Sequence, residues 1–107
     1  MMFKLVLLFR KREDLSQEEF LRYWREEHVP LVRKVPNIRR YVISPVSGAP
    51  IGEPEFDGMA ELWFDDEATA KAALATPETE ATGRDARNFI EKGSMRRFFS
   101  IEEEIIA

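Results

Sequence analysis

The sequence contains no cysteine, which excludes disulfides, thiolate zinc sites and thiol nucleophiles. A single histidine cannot assemble a typical structural zinc site, and Glu102-Glu103-Glu104 alternates across an extended chain instead of forming a chelating cluster. The longest apolar run, Leu5-Val6-Leu7-Leu8-Phe9, is five residues, against the roughly 18–20 needed to cross a bilayer. It stops at Arg10-Lys11-Arg12, and no small-residue cleavage site follows. The five glycines form no phosphate-cradling loop, and no G-x-S-x-G is present. These absences predict a small, soluble, cytoplasmic domain with no metal, no cofactor and no membrane partner.

What is present is 107 residues, 44% hydrophobic and 34% charged. That predicts one domain over residues 1–107 with one modest core. Charge is uneven: residues 1–47 carry 10 basic and 6 acidic side chains, residues 48–107 carry 6 and 14. If the halves interleave, this cancels locally; if not, it makes a dipolar surface able to steer an anionic ligand or a second copy of the chain.

Residues 2–10 alternate as a strand, with Phe3, Leu5, Leu7 and Phe9 on one face and Lys4, Val6, Leu8 and Arg10 on the other. Ser16 and Glu19 form a capping box, with Leu15 and Phe20 placed as a hydrophobic staple. This predicts a helix over 17–28, a kink at Pro30 where the hydrogen bond to the Glu26 carbonyl is lost, and an end before Pro36. Residues 37–46 read as a second strand, 47–55 as a loop, 56–64 as a third strand, and 95–106 as a fourth. Asp65 or Asp66 can cap a helix, Thr76-Pro77 starts another, and Gly83 loosens it before it recovers over 84–90. The order β-α-β-β-α-β predicts an α+β, ferredoxin-like fold with a four-stranded antiparallel sheet. Two helices cover one sheet face only. Val6, Leu8, Met59 and Trp63 on the other predict a homodimer packed sheet against sheet. Recognition domains for RNA share this order, but Asp57 and Glu61 stand where stacking aromatics with basic neighbours would be needed, so no nucleic acid is expected.

The segment Phe20-Leu21-Arg22-Tyr23-Trp24-Arg25-Glu26-Glu27-His28-Val29-Pro30-Leu31 resembles the F-x-x-Y-W-x-x-x-H-x-P-L stretch of the EthD family, named after a protein encoded with an ether-degrading cytochrome P450 system. Asp57-Gly58-Met59-Ala60-Glu61-Leu62-Trp63-Phe64 is similar to that family's D-G-x-A-E-L-W-F strand, and Asp85 with Asn88-Phe89-Ile90 to its later D-x-x-x-F segment. The resemblance implies a dimeric α+β barrel, two ferredoxin-like subunits joined through their sheets. Barrels of this kind include isomerases, cyclases, dehydratases, cofactor-free monooxygenases and haem proteins, so the resemblance implies a fold and not a reaction.

His28 falls within the apolar stripe of its helix, one turn beyond Trp24. Burial disfavours imidazolium, so a neutral ring there can act as a general base toward an acidic C–H, with backbone carbonyls freed by Pro30 orienting its other nitrogen. The same ring can instead be a core histidine that fixes the kink. Catalysis needs space, and Gly58 and Ala60 beneath the helices are small enough to leave it. Tyr23, Trp24, Tyr41 and Trp63 are candidate cavity walls or anchors for a small apolar or aromatic ligand, with the face occupied by Tyr41 left open. Glu61 is a further candidate for ligand contact, or else the partner of Lys4, Arg10, Arg39 or Arg96 in an ion pair. The readings that follow are cofactor-free proton transfer with His28 as base, a non-catalytic ligand-binding or accessory protein of an oxidative pathway, and haem binding through His28.

Overall fold

The computed structural model describes residues 2–107. Four strands, β1 (Phe3–Phe9), β2 (Arg40–Pro45), β3 (Gly58–Phe64) and β4 (Arg96–Ile101), form one antiparallel sheet in the order β2-β3-β1-β4. Between β1 and β2 lie α1 (Gln17–Tyr23), a π-helical turn (Trp24–His28) and α2 (Val29–Val32); between β3 and β4 lie α3 (Glu67–Leu74) and α4 (Pro77–Ala86). This is the ferredoxin-like α+β arrangement expected from the order of elements.

Local chemistry explains most boundaries. The capping box closes as expected: Glu19 N–H donates to Ser16 Oγ at 3.0 Å, and Ser16 N–H donates to Glu19 Oε1 at 2.9 Å. Asp66, immediately before Glu67, caps α3 by accepting from Thr69 N–H, while Asp65 pairs with Arg39. Asn37 takes a left-handed φ of 65°, which asparagine tolerates, so the chain turns there and β2 begins at Arg40 instead of residue 37. The fourth strand ends at Ile101, not 106, because Ile101 already lies opposite Phe3, the first residue of β1. Gly83 does not interrupt α4, which runs through it and ends at Ala86.

The expected kink at Pro30 takes another form. Pro30 cannot donate to Glu26, and its ring would crowd that carbonyl. The preceding turn widens, so that Val29 N–H bonds to the Trp24 carbonyl, and α2 resumes beyond it.

Register assigns every strand side chain to a face. Phe3, Leu5, Phe9, Leu62 and Phe64 lie under the helices with Phe20, Trp24 and Phe89. Gly58 is there too, but it leaves no space for a ligand. A Cβ on it would sit 2.7 Å from Phe9 Cε2 and 2.9 Å from Trp24 Cη2, so two aromatic rings occupy the gap. On the open face Val6 and Trp63 are buried within the chain itself, Trp63 beneath Arg40, whose guanidinium lies 4.5 Å from the ring. The exposed apolar surface expected there therefore shifts toward Phe98, which lies opposite Val6 and is 48% exposed.

Candidate functional site

Phe89, fully buried, is the hub that positions the site. Its ring centroid lies 4.7 Å from that of His28, 5.4 Å from Tyr23 and 5.8 Å from Phe20. It is held by the turn after α4, where Phe89 N–H bonds to the Ala86 carbonyl and its own carbonyl accepts from Arg12 N–H. The last turn of α4, just before it, presents Asp85 to the π-helical segment. His28 Nδ1 lies 2.8 Å from Asp85 Oδ2, and Tyr23 Oη donates to Asp85 Oδ1 at 2.6 Å. Asn88 Nδ2 donates to Tyr23 Oη and to Asp85 Oδ1.

The result is a His28–Asp85–Tyr23 chain that ties α1 and the π-helical turn to α4. Burial pushes the His28 pKa down and outweighs the hydrogen bond and charge of Asp85, which push it up. Burial would raise Asp85, yet hydrogen bonds from Tyr23, His28 and Asn88 together hold it below the usual carboxylate range. An ionised carboxylate only accepts, so the proton of neutral His28 sits on Nδ1 and Nε2 keeps its lone pair. The carboxylate of Asp85, not a carbonyl freed by Pro30, orients the ring.

His28 lines a cavity of about 360 Å³ between helices and sheet. Leu5, Leu7, Ala60 and Leu62 form its floor, and Trp24 and Tyr41 line it together with His28. Tyr41 pairs in register with Leu62, which puts it on the helix side. Burial pushes its phenol up to about 12, partly offset by Trp24, so Tyr41 remains a hydrogen-bond donor. The opposite wall is Thr79, Thr82, Gly83 and Ala86, at helical spacing along one face of α4. These small side chains explain why α4 buries no residue fully: its inner face borders a cavity instead of a packed core. The space thus comes from α4 and Ala60, with no contribution from Gly58.

The remaining candidates separate. Tyr23 is linked to His28 through Asp85 and the Phe89 ring and is not among the residues lining the cavity. Glu61 and Trp63 project from the open sheet face, away from His28: Lys4 Nζ bonds Glu61 Oε2 at 2.6 Å, and the Trp63 indole donates to Glu102. Asp85, which no spacing argument singled out, is the residue sequence reasoning missed as a site member. Its signal was present in the D-x-x-x-F segment, where Asp85 sits four residues before Phe89 and so on the same side of a helical turn.

Comparison with known proteins agrees with this architecture. The family model described as EthD domain matches residues 12–93. An uncharacterised 11.0 kDa protein from the thcB-thcC intergenic region of Rhodococcus erythropolis is 26% identical over 105 residues, covering 98% of this chain and 99% of that one. The crystal structure of an ethyl tert-butyl ether d (EthD) family protein from Bacillus halodurans is 32% identical, with a TM-score of 0.84, covering 96% of this chain and 100% of that one. A dimeric ferredoxin-like protein of unknown function from Bacteroides fragilis, 20% identical, shares the fold with a TM-score of 0.67 over 92% of this chain and 94% of that one. The residues matched span the π-helical histidine, the cavity strand β3 and the end of α4 that carries Asp85, and the chain belongs to the EthD family.

Proposed function

We propose that this protein binds a small apolar or aromatic, enolisable molecule in the cavity and catalyses cofactor-free proton transfer, of the isomerase, cyclase or dehydratase type. The observation that carries this reading is the hydrogen-bonded pairing of His28 Nδ1 with the Asp85 carboxylate at the wall of a mainly apolar cavity. In the proposed step, Nε2 takes a proton from carbon next to a carbonyl. The C–H electron pair becomes a C=C bond and the carbonyl oxygen gains the charge, stabilised by the Tyr41 hydroxyl. Asp85 stabilises the imidazolium that forms, which returns its proton to another carbon. A volume of about 360 Å³ lies near the lower end of small-molecule sites, about 300–1,000 Å³, which favours a ligand of one or two rings over haem.

The test uses β-tetralone as probe, following deuterium uptake from solvent beside its carbonyl. Uptake should depend on the protein, and His28→Asn should abolish it while leaving affinity for β-tetralone within about threefold. Binding without uptake would favour the second reading, a ligand-binding accessory protein without catalysis. That reading draws on the apolar cavity alone and leaves the Asp85 pairing without a role.

We also propose that two copies associate through the open sheet face, where Phe98 is 48% exposed beside half-buried Leu8 and Met59. The dimeric description of the Bacteroides fragilis neighbour supports this. Sedimentation should give twice the chain mass for the wild-type protein and a monomer for Phe98→Glu. A wild-type monomer would overturn it.

A further inference from the structure

Arg97 sits in β4 opposite Leu7, so its side chain leaves the sheet on the helix side and reaches the cavity, which it lines together with His28. Neighbouring cations are engaged: Arg96 bonds the carbonyls of Gly93 and Met95, Arg10 faces Glu91 at 3.6 Å, and Arg12 grips Asp14 through two nitrogens at 2.9 and 2.6 Å. Arg97 has neither a hydrogen bond nor an ion pair among the described residues.

The cavity adjoins a wider recess of about 570 Å³, with Ala86, Ile90 and Met95 common to both. Arg87 and Lys92 line that recess, again without side-chain partners among the described residues, and its one carboxylate, Glu91, is the residue Arg10 faces. Residues 48–107 are strongly acidic overall, with 6 basic side chains against 14 acidic. Three of the six basic ones, Arg87, Lys92 and Arg97, nevertheless gather at this cavity and its mouth.

The donors inside the cavity are few. The Thr79 hydroxyl donates to the Ala73 carbonyl and that of Thr82 to the Thr79 carbonyl, so neither has a proton to offer a ligand. Among the described residues Arg97 is thus the one charged donor lining this mainly apolar space, with a planar fork suited to a carboxylate.

We propose that the molecule taken into this cavity is a small cyclic or aromatic carboxylic acid, its carboxylate held by Arg97 at the mouth and its apolar body directed inward toward His28. The proposal rests on the cavity reading above and narrows its ligand class. Arg87 and Lys92 raise the local concentration of the anion without fixing its position.

The experiment compares naphthoate with its neutral counterpart naphthamide by calorimetry at about pH 8, where the lowered pKa of His28 keeps the ring neutral. Wild-type protein should bind naphthoate at least about tenfold more tightly than naphthamide. Arg97→Gln, on an exposed edge strand, should bring that ratio close to one without changing affinity for naphthamide. Equal binding of the two probes by wild-type protein overturns the carboxylate proposal and leaves the apolar cavity standing. A preference that survives Arg97→Gln overturns the role given to Arg97. Binding of neither probe overturns the cavity reading and this proposal with it.

Discussion

Replacing Asp85 by Asn keeps the size of the side chain and removes only its charge and one acceptor oxygen. In the native protein Oδ1 accepts from Tyr23 at 2.6 Å and Oδ2 faces His28 Nδ1 at 2.8 Å. An amide has one acceptor and one donor end. Tyr23 and Asn88 both present donors to the Oδ1 side, so the amide oxygen turns toward them and the amide nitrogen toward His28. His28 then has to accept at Nδ1, and its proton moves to Nε2, where it blocks the proposed base. The two shorter hydrogen bonds to the charged group, from Tyr23 and His28, each about 1.5–3 kcal/mol, become neutral ones of about 0.5–1.5, a net loss of about 2 kcal/mol. The side chains of His28 and Asp85 are only 12% and 14% exposed, so solvent does little to soften that loss. For a domain of this size it lowers Tm by roughly 8–15 °C. The assay is direct because the chain has one histidine: long-range proton–nitrogen correlation gives a single pair of ring nitrogens. Wild-type protein above the pKa of His28 should show the Nδ1–H form, and Asp85→Asn the Nε2–H form. A variant that keeps the Nδ1–H form and the wild-type Tm would refute the claim that Asp85 orients the ring.

Three further outcomes follow from the same geometry. Gly83 lies on the cavity-facing stripe of α4 with nothing within 4 Å of an added Cβ. Gly83→Ala should therefore stabilise the helix by up to about 1 kcal/mol, while Gly83→Leu should weaken β-tetralone binding at least about tenfold with Tm unchanged or higher; calorimetry of both variants checks this. Gly58→Ala drives a methyl group into the buried rings of Phe9 and Trp24, at 2.7 and 2.9 Å, and should cost about 1–3 kcal/mol in chemical denaturation. Acidification should destabilise the protein in two stages. The pKa of His28 is lowered by folding, so below the unfolded value of about 6.5 the unfolded chain binds more protons and stability falls with pH; Asp85, also lowered, adds a second loss that begins near 3.9 and continues below it. In Tm measured against pH, His28→Asn should remove the first stage and leave the second.

The fold was legible because its signals are local or periodic. The capping box at Ser16 and Glu19, the Thr76-Pro77 restart and the two-residue alternation of β1 each act over a few residues, and each is realised. The misjudged boundaries depend on pairing partners or on backbone detail: β4 ends where β1 runs out, and Pro30 acts through a widened turn before it instead of a bend at the proline itself. The site was half legible. His28 and Trp24 stand out by type and spacing on one helix, and the structure brings both to the cavity with Tyr41. Asp85 reaches His28 across 57 positions of sequence, a contact that no period reports. Gly58 was misread for a similar reason. A glycine marks close approach, but only the packing reveals that aromatic rings do the approaching. Glu61 and Trp63 differ in parity from Leu62 and Ala60 on β3, and that single-residue alternation sends them to the opposite face.

The central claim is that ligand chemistry takes place between helices and sheet, around His28. Amide and imidazole chemical shifts followed during titration with β-tetralone test it most directly, because the two sheet faces carry different residues. The account predicts shifts at Ala60, Thr82 and Gly83 and in the His28 ring nitrogens, with Lys4, Glu61 and Trp63 unmoved. Shifts confined to Lys4, Glu61 and Trp63 on the open face, or a His28 ring that does not respond at saturation, would contradict it.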